Sequence, residues 1–136
     1  MTEVFADSFY FLALLNPHDQ HHTAAVAAAM ALRSSLVTTH WVLVEVADGL
    51  AAPRVRLRAA SFLREALADR RMTVVNELAP WFDRGRALYA SRPDKSWSLT
   101  DCISFEVMRA RGIQEALTGD HHFEQAGFVP RLSSAQ

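Results

Sequence analysis

The segment EVFADSFYFLALLNP, residues 3–17, decides the fold class. Its first part, EVFAD, is short and apolar between polar ends, which reads as a buried strand. SFYFLALLN then reads as a helix. Asn16-Pro17 stops it, because a proline pushes the residue before it out of the helical region. A buried strand runs into a helix, and one aspartate, Asp7, stands at the junction.

The same alternation continues along the chain. HHTAAVAAAMALRS, residues 21–34, is alanine-rich and spaced for a helix. The β-branched run LVTT at 36–39 predicts a second strand. A helix over roughly 40–51 follows and ends near Pro53. Residues 54–71 place Val55, Ala59, Phe62, Ala66 and Asp69 at three- and four-residue intervals, the pattern of a surface helix with one apolar face. MTVV at 72–75 is a third strand, and ELAPWFDRGRALYASR, 77–92, is helical with Pro80 near its first turn. Beyond the loop Pro93–Trp97, SLTDCISFEVMRARG is a helix closed by Gly112. EALT at 115–118 is a fourth strand, HHFEQAG a short helix and FVP an edge strand.

Short, uniformly apolar strands alternating with helices predict an α/β fold: a three-layer α/β/α sandwich around a mainly parallel sheet. With 136 residues, half of them apolar, the chain suits one domain spanning 1–136. No internal repeat or linker-like run divides it. A net charge of −1 gives no overall field to draw it to nucleic acid or to an anionic membrane. The lone Cys102 permits no internal disulfide, the N-terminus lacks a signal-peptide pattern, and no apolar run approaches membrane-spanning length. A cytoplasmic protein is the expectation.

In parallel α/β sheets the ligand site lies beyond the carboxyl ends of the strands. Four acids in apolar surroundings fall there or on the helices just beyond. Asp7 ends the first strand, Glu45 sits in WVLVEVA, Asp101 opens the helix of Cys102, Ile103 and Phe105, and Asp120 follows the fourth strand. Each has a structural alternative. Asp7 and Asp120 stand where helix caps stand, and Ser98 with Asp101 fits the capping-box pattern. Glu45 resists that reading, because positions 41, 42, 48 and 49 hold Trp, Val, Asp and Gly, none of them basic. Carboxylates gathered in one cleft would repel each other, and a bound Mg²⁺ or Mn²⁺ would relieve that repulsion with oxygen ligands. Such a site points to phosphodiester hydrolysis.

The remaining polar clusters carry less. His18 and His22 stand at i, i+4 spacing, but a third zinc ligand is missing from the pattern. His121 and His122 are read as solvent-facing or packed against a neighbouring loop, outside the site. Every basic residue but Lys95 is arginine; Arg54, Arg58 and Arg64 read as a solvated face, with an RNA or partner surface the alternative. Trp81, Phe82 and Trp97 read as core or dimer packing, and Cys102 as a small buried residue.

VFADSFYFLALLN, TTHWVLVEVADGL, SLTDCISFEVMRARGI and EALTGDHHFEQAGF, in that order, resemble the four acidic motifs of the PIN-domain ribonucleases, closest to the VapC type of toxin–antitoxin systems. The resemblance implies that Asp7, Glu45, Asp101 and Asp120 form a site for Mg²⁺ or Mn²⁺, with Ser8 and Thr100 lining or supporting it. It implies RNA as substrate, products with 5′-phosphate and 3′-hydroxyl ends, a homodimer, and a small antitoxin whose tail plugs the acidic cleft. Gly119 stands where many relatives carry another residue. Two other classes gather aspartates at strand ends. A phospho-acceptor receiver domain needs an acidic pair after the first strand and a lysine at the end of the last, and a haloacid-type phosphatase needs Asp-x-Asp. This chain has Asp7-Ser8-Phe9 and its one lysine in a loop. A housekeeping PIN nuclease without an antitoxin is the closer alternative.

Overall fold

The computed structural model describes residues 2–132. Five strands, β1 (Glu3–Ala6), β2 (Ser35–Thr39), β3 (Met72–Val75), β4 (Glu115–Leu117) and β5 (Val129–Pro130), form one sheet in the order β3-β2-β1-β4-β5. Every neighbouring pair is parallel. Seven helices connect them: α1 (Ser8–Leu15), α2 (His22–Ala31), α3 (His40–Gly49), α4 (Pro53–Ala68), α5 (Leu78–Ser91), α6 (Leu99–Arg111) and α7 (His121–Gln125).

The strand order sets the layers. From β1 the chain steps to β2 and β3 on one side, and right-handed crossovers then put α1–α4 on one face. It returns past β1 to β4 and β5, so α5–α7 cover the other face. Packing follows suit: α1 contacts α2 and α3, α3 contacts α4, and α6 contacts α5 and α7. The chain reverses direction between β1 and β4, which opens a crevice at their carboxyl ends. Phe5, Val37 and Ala116 on the three central strands are fully buried, as strands covered on both faces must be.

Most expected elements form, with local corrections. Helix α4 ends at Ala68, so Asp69 is not part of its apolar face; it caps the end, and its Oδ1 accepts the Arg71 amide at 2.8 Å. His18 lies outside α2, in a turn held by Asn16 and Asp19 side chains, so His18 and His22 share no helical face. His22 Nδ1 is engaged instead by the Ala13 carbonyl at 2.8 Å, which ties α2 back to α1. Trp97 is core, whereas Phe82 is exposed and stacks beside Trp41. Where α5 crosses α6, Gly85 is required: a Cβ there would lie 2.2 Å from the Ile103 side chain. That close crossing seats α6, the helix that carries Asp101.

Candidate functional site

The four acids come together. Asp7, Glu45, Asp101 and Asp120, with Ser8, Phe9, Leu12, Ser96, Ser98 and His122, line one cleft of about 370 Å³ at the carboxyl ends of β1 and β4. No lysine or arginine is among these lining residues.

Each acid is delivered by local chemistry. Asp7 follows β1 directly, and its backbone N–H still donates to Leu117 O of β4. It occupies the N-cap position of α1 without making the side-chain capping bond, so capping does not explain it. Its Oδ2 accepts instead from Thr118 Oγ1 at 2.8 Å, and Thr118 in turn accepts the Asp120 amide at 3.1 Å. Glu45 stands on α3, and its Oε1 accepts from Ser8 Oγ at 2.7 Å.

Asp101 and Asp120 combine two duties that the sequence presents as rivals. Ser98 Oγ accepts the Asp101 amide, and Asp101 Oδ2 accepts the Ser98 amide at 3.2 Å, completing the capping box of α6. Asp120 Oδ1 accepts the His122 amide at 2.9 Å and caps α7. Both carboxylates face the cleft while capping, because the helix N-termini themselves point into it. Thr100 departs from expectation. It does not line the cleft and bonds through its carbonyl, which accepts Ser104 Oγ; Ser96 and Ser98 are the polar neighbours of Asp101 there.

His122 is a second correction. It faces the cleft, with Nδ1 3.1 Å from Asp101 Oδ2 and 3.4 Å from Asp120 Oδ1. The nearest ligating atoms of Asp120, His121 and His122 lie within 4.8 Å of one another, although His121 itself is exposed. Asp120 sets the start of α7, and the second residue of that turn then swings inward. Thr118 is a further polar residue of the site, through its bond to Asp7. Its signal in the sequence is a hydroxyl directly after the buried pair Ala116-Leu117, and it is itself fully buried just past β4. Gly119 follows from Phe9, since a Cβ there would come within 2.5 Å of the Phe9 ring in the cleft wall.

The electrostatics are those of crowded, desolvated carboxylates. Burial pushes Asp7 up to about 7; the Thr118 hydrogen bond works against this, and the charges of Asp101 and Glu45 add to it. Glu45 is raised by burial and then by Asp101, Asp120 and Asp48, against the bond from Ser8. Asp101 is raised by burial and by Asp120, with Ser98 and His122 opposing. Repulsion of this kind, without a strong cation beside it, is what a divalent ion relieves. The donor set is almost all oxygen with one imidazole, and it fits a hard or borderline divalent metal.

This geometry places the chain in a class. It belongs to the PIN-domain family, whose model matches residues 4–129. It is similar to the 23S rRNA-specific endonuclease VapC20 of Mycobacterium tuberculosis, from strains H37Rv and CDC 1551, with 27% identity over 136 residues covering 93% of this chain and 95% of the relative. The crystal structure of Mycobacterium tuberculosis VapC20, a sarcin–ricin loop cleaving toxin, matches with a TM-score of 0.85 and 28% identity, covering 93% of this chain and 96% of that one.

Proposed function

We propose that this protein is a metal-dependent endoribonuclease of the VapC toxin type, hydrolysing RNA phosphodiester bonds at the cleft formed by Asp7, Glu45, Asp101 and Asp120. The observation that carries the reading is the convergence of these four carboxylates, from four separate segments, in one cleft whose lining holds no lysine or arginine. The similarity to VapC20 supports RNA as the substrate class and a cognate antitoxin as partner.

Asp7, Asp101 and Asp120 would hold Mg²⁺ or Mn²⁺, with Glu45 completing the set. Such an ion supplies neutralisation of phosphoryl charge and acidification of a water. The chain's own residues do the positioning. Thr118 fixes Asp7 and Ser8 fixes Glu45, while Ser98 and His122 both hold Asp101 Oδ2. Phe9 and Leu12 form an apolar wall that limits water on one side. Cleavage leaves 5′-phosphate and 3′-hydroxyl ends. The active form is a homodimer acting in the cytoplasm, and the antitoxin's tail occupies the cleft. Among the described residues no helix is long and apolar enough to cross a membrane.

The test is an RNA panel led by 23S rRNA, incubated with wild type and Asp7→Asn, with and without chelator. Cleavage by wild type alone, and only with metal, is the expected outcome. Equal cleavage by Asp7→Asn, or cleavage in excess chelator, would sink the reading.

A further inference from the structure

Beside the acidic cleft lies a second groove of about 460 Å³, lined by Tyr89, Arg92, Pro93, Lys95, Ser96 and Trp97, with the buried Cys102 beneath. Ser96 belongs to both walls, so the groove opens next to the cleft. Its chemistry is the reverse of its neighbour's. Arg92 and Lys95 lie over the Trp97 ring, 5.2 and 5.9 Å from its centroid. The indole is a fixed base for them: it is 4% exposed, donates from Nε1 to Gln125 Oε1 at 3.0 Å and meets Phe105 edge-on. Arg92 is held in a two-bond fork by Asp94, at 3.0 and 2.9 Å. The Lys95 ammonium has no salt-bridge partner within 4.0 Å among the described residues, so the loop keeps one uncompensated positive charge. Tyr89, 53% exposed, offers a phenol ring at the rim.

Resting on the nuclease reading above, we propose that this groove is the seat of the RNA strand flanking the scissile bond, with Lys95 and the outer edge of Arg92 holding a backbone phosphate and Tyr89 stacking a base. The acidic cleft repels a polyanion, and its lining contains no strong cation to hold one. The adjoining loop supplies that charge on a rigid indole support, and it runs directly into Ser98, which caps the helix delivering Asp101. The phosphate anchor and the acid thus sit on one continuous, fixed segment. An exposed aromatic next to a cation matches how single strands are held, by stacking and backbone neutralisation.

The probe is a fluorescein-labelled single-stranded oligoribonucleotide titrated by anisotropy against the full chain carrying Asp7→Asn, from 50 to 200 mM salt. Steady-state cleavage of 23S rRNA is followed in the Asp7 background. Lys95→Ala should weaken binding about 10-fold at low salt and lower the slope of log K against log salt by about 0.7, the loss of one single-strand phosphate contact. Lys95→Arg should restore the slope. Tyr89→Ala should weaken binding about 5-fold or more with the slope unchanged, and Tyr89→Phe should not. In cleavage, Lys95→Ala should raise KM and spare kcat. Arg64→Ala, on the far face in α4, is the control. If Lys95→Ala leaves affinity, slope and KM at parental values while the Asp7 protein cleaves RNA, the groove assignment is overturned and the nuclease reading stands. If the Asp7 protein cleaves no RNA, both fall together.

Discussion

Strand β1 carries an acid near each end, Glu3 at its start and Asp7 just past its finish, and the two live in opposite worlds. Glu3 meets the Arg111 guanidinium through two bonds of 3.1 and 2.8 Å, and that partner lowers its pKa. Asp7 meets a threonine hydroxyl and other acids, and burial raises it to about 7. The same contrast holds across the sheet. At the amino ends of the strands Glu115 has Arg131 at 3.5 Å, whereas at the carboxyl ends Glu45, Asp101 and Asp120 gather with no basic side chain other than a histidine. Folding pairs an acid that serves stability. It crowds together, with no lysine or arginine among them, the acids proposed to hold a cation. Burial and partner act together at the two poles: Asp7 is desolvated among other acids, whereas Glu3 is partly exposed beside a guanidinium.

The largest test of this contrast is Asp7→Asn. Cleavage should fall at least ~100-fold, about 2.7 kcal/mol of transition-state stabilisation. The metal-free protein should melt at the same temperature or higher, because a buried, repelled carboxylate has gone; a clearly lower melting temperature would place Asp7 among the structural acids. Asp101→Asn should behave likewise, since the amide oxygen can still accept the Ser98 amide and keep the capping box.

The pH dependence is next in size and has opposite signs at the two poles. Asp7 has a folded pKa near 7 against an unfolded value near 4, so the metal-free fold binds the extra proton and loses stability as pH rises through that window. The upper bound is about 4 kcal/mol from this one group. Adding millimolar Mg²⁺ or Mn²⁺ at pH 8 should recover stability and raise the melting temperature. A flat metal-free profile between pH 5 and 8, with no response to metal, would break the comparison. Glu3 is depressed, so its smaller contribution is present above the unfolded pKa and is lost as pH falls through the folded one.

Gly85→Ala tests whether the α5–α6 crossing positions Asp101. The added Cβ overlaps Ile103, and a destabilisation of about 1–3 kcal/mol is expected in urea melts. The smallest effect belongs to Glu3→Gln. Its pair with Arg111 is partly exposed, so the cost should stay below about 1 kcal/mol and cleavage should be unchanged. A large activity loss there would erase the distinction between the poles.

Much of this was legible in the residue order. The runs at 4–6 and 36–39 read as buried strands and are buried, whereas 72–75 forms the edge strand β3, with Thr73 exposed and only Val75 buried. Gly112 ends α6 in the left-handed conformation that its position after the helix predicts. Ser98-x-x-Asp101 does form its capping box, and the four acids could be picked out by their apolar neighbours. The two histidines diverge for a specific reason. From sequence, His121 and His122 are equivalent, and only the phase of a five-residue helix turns one toward Asp101 and leaves the other exposed. Thr100 and Ser98 differ in the same way, by which side of the first turn of α6 each occupies.

The sequence by itself determined the local elements and the identity of the acids, because hydrophobic periodicity and capping act over a few residues. Only the tertiary structure decided that Thr118, 111 positions away, holds Asp7, and that Ser8, 37 positions from Glu45, steadies it. Those contacts depend on strand order and helix phase, which are set by how whole layers pack, and no short stretch of chain encodes them.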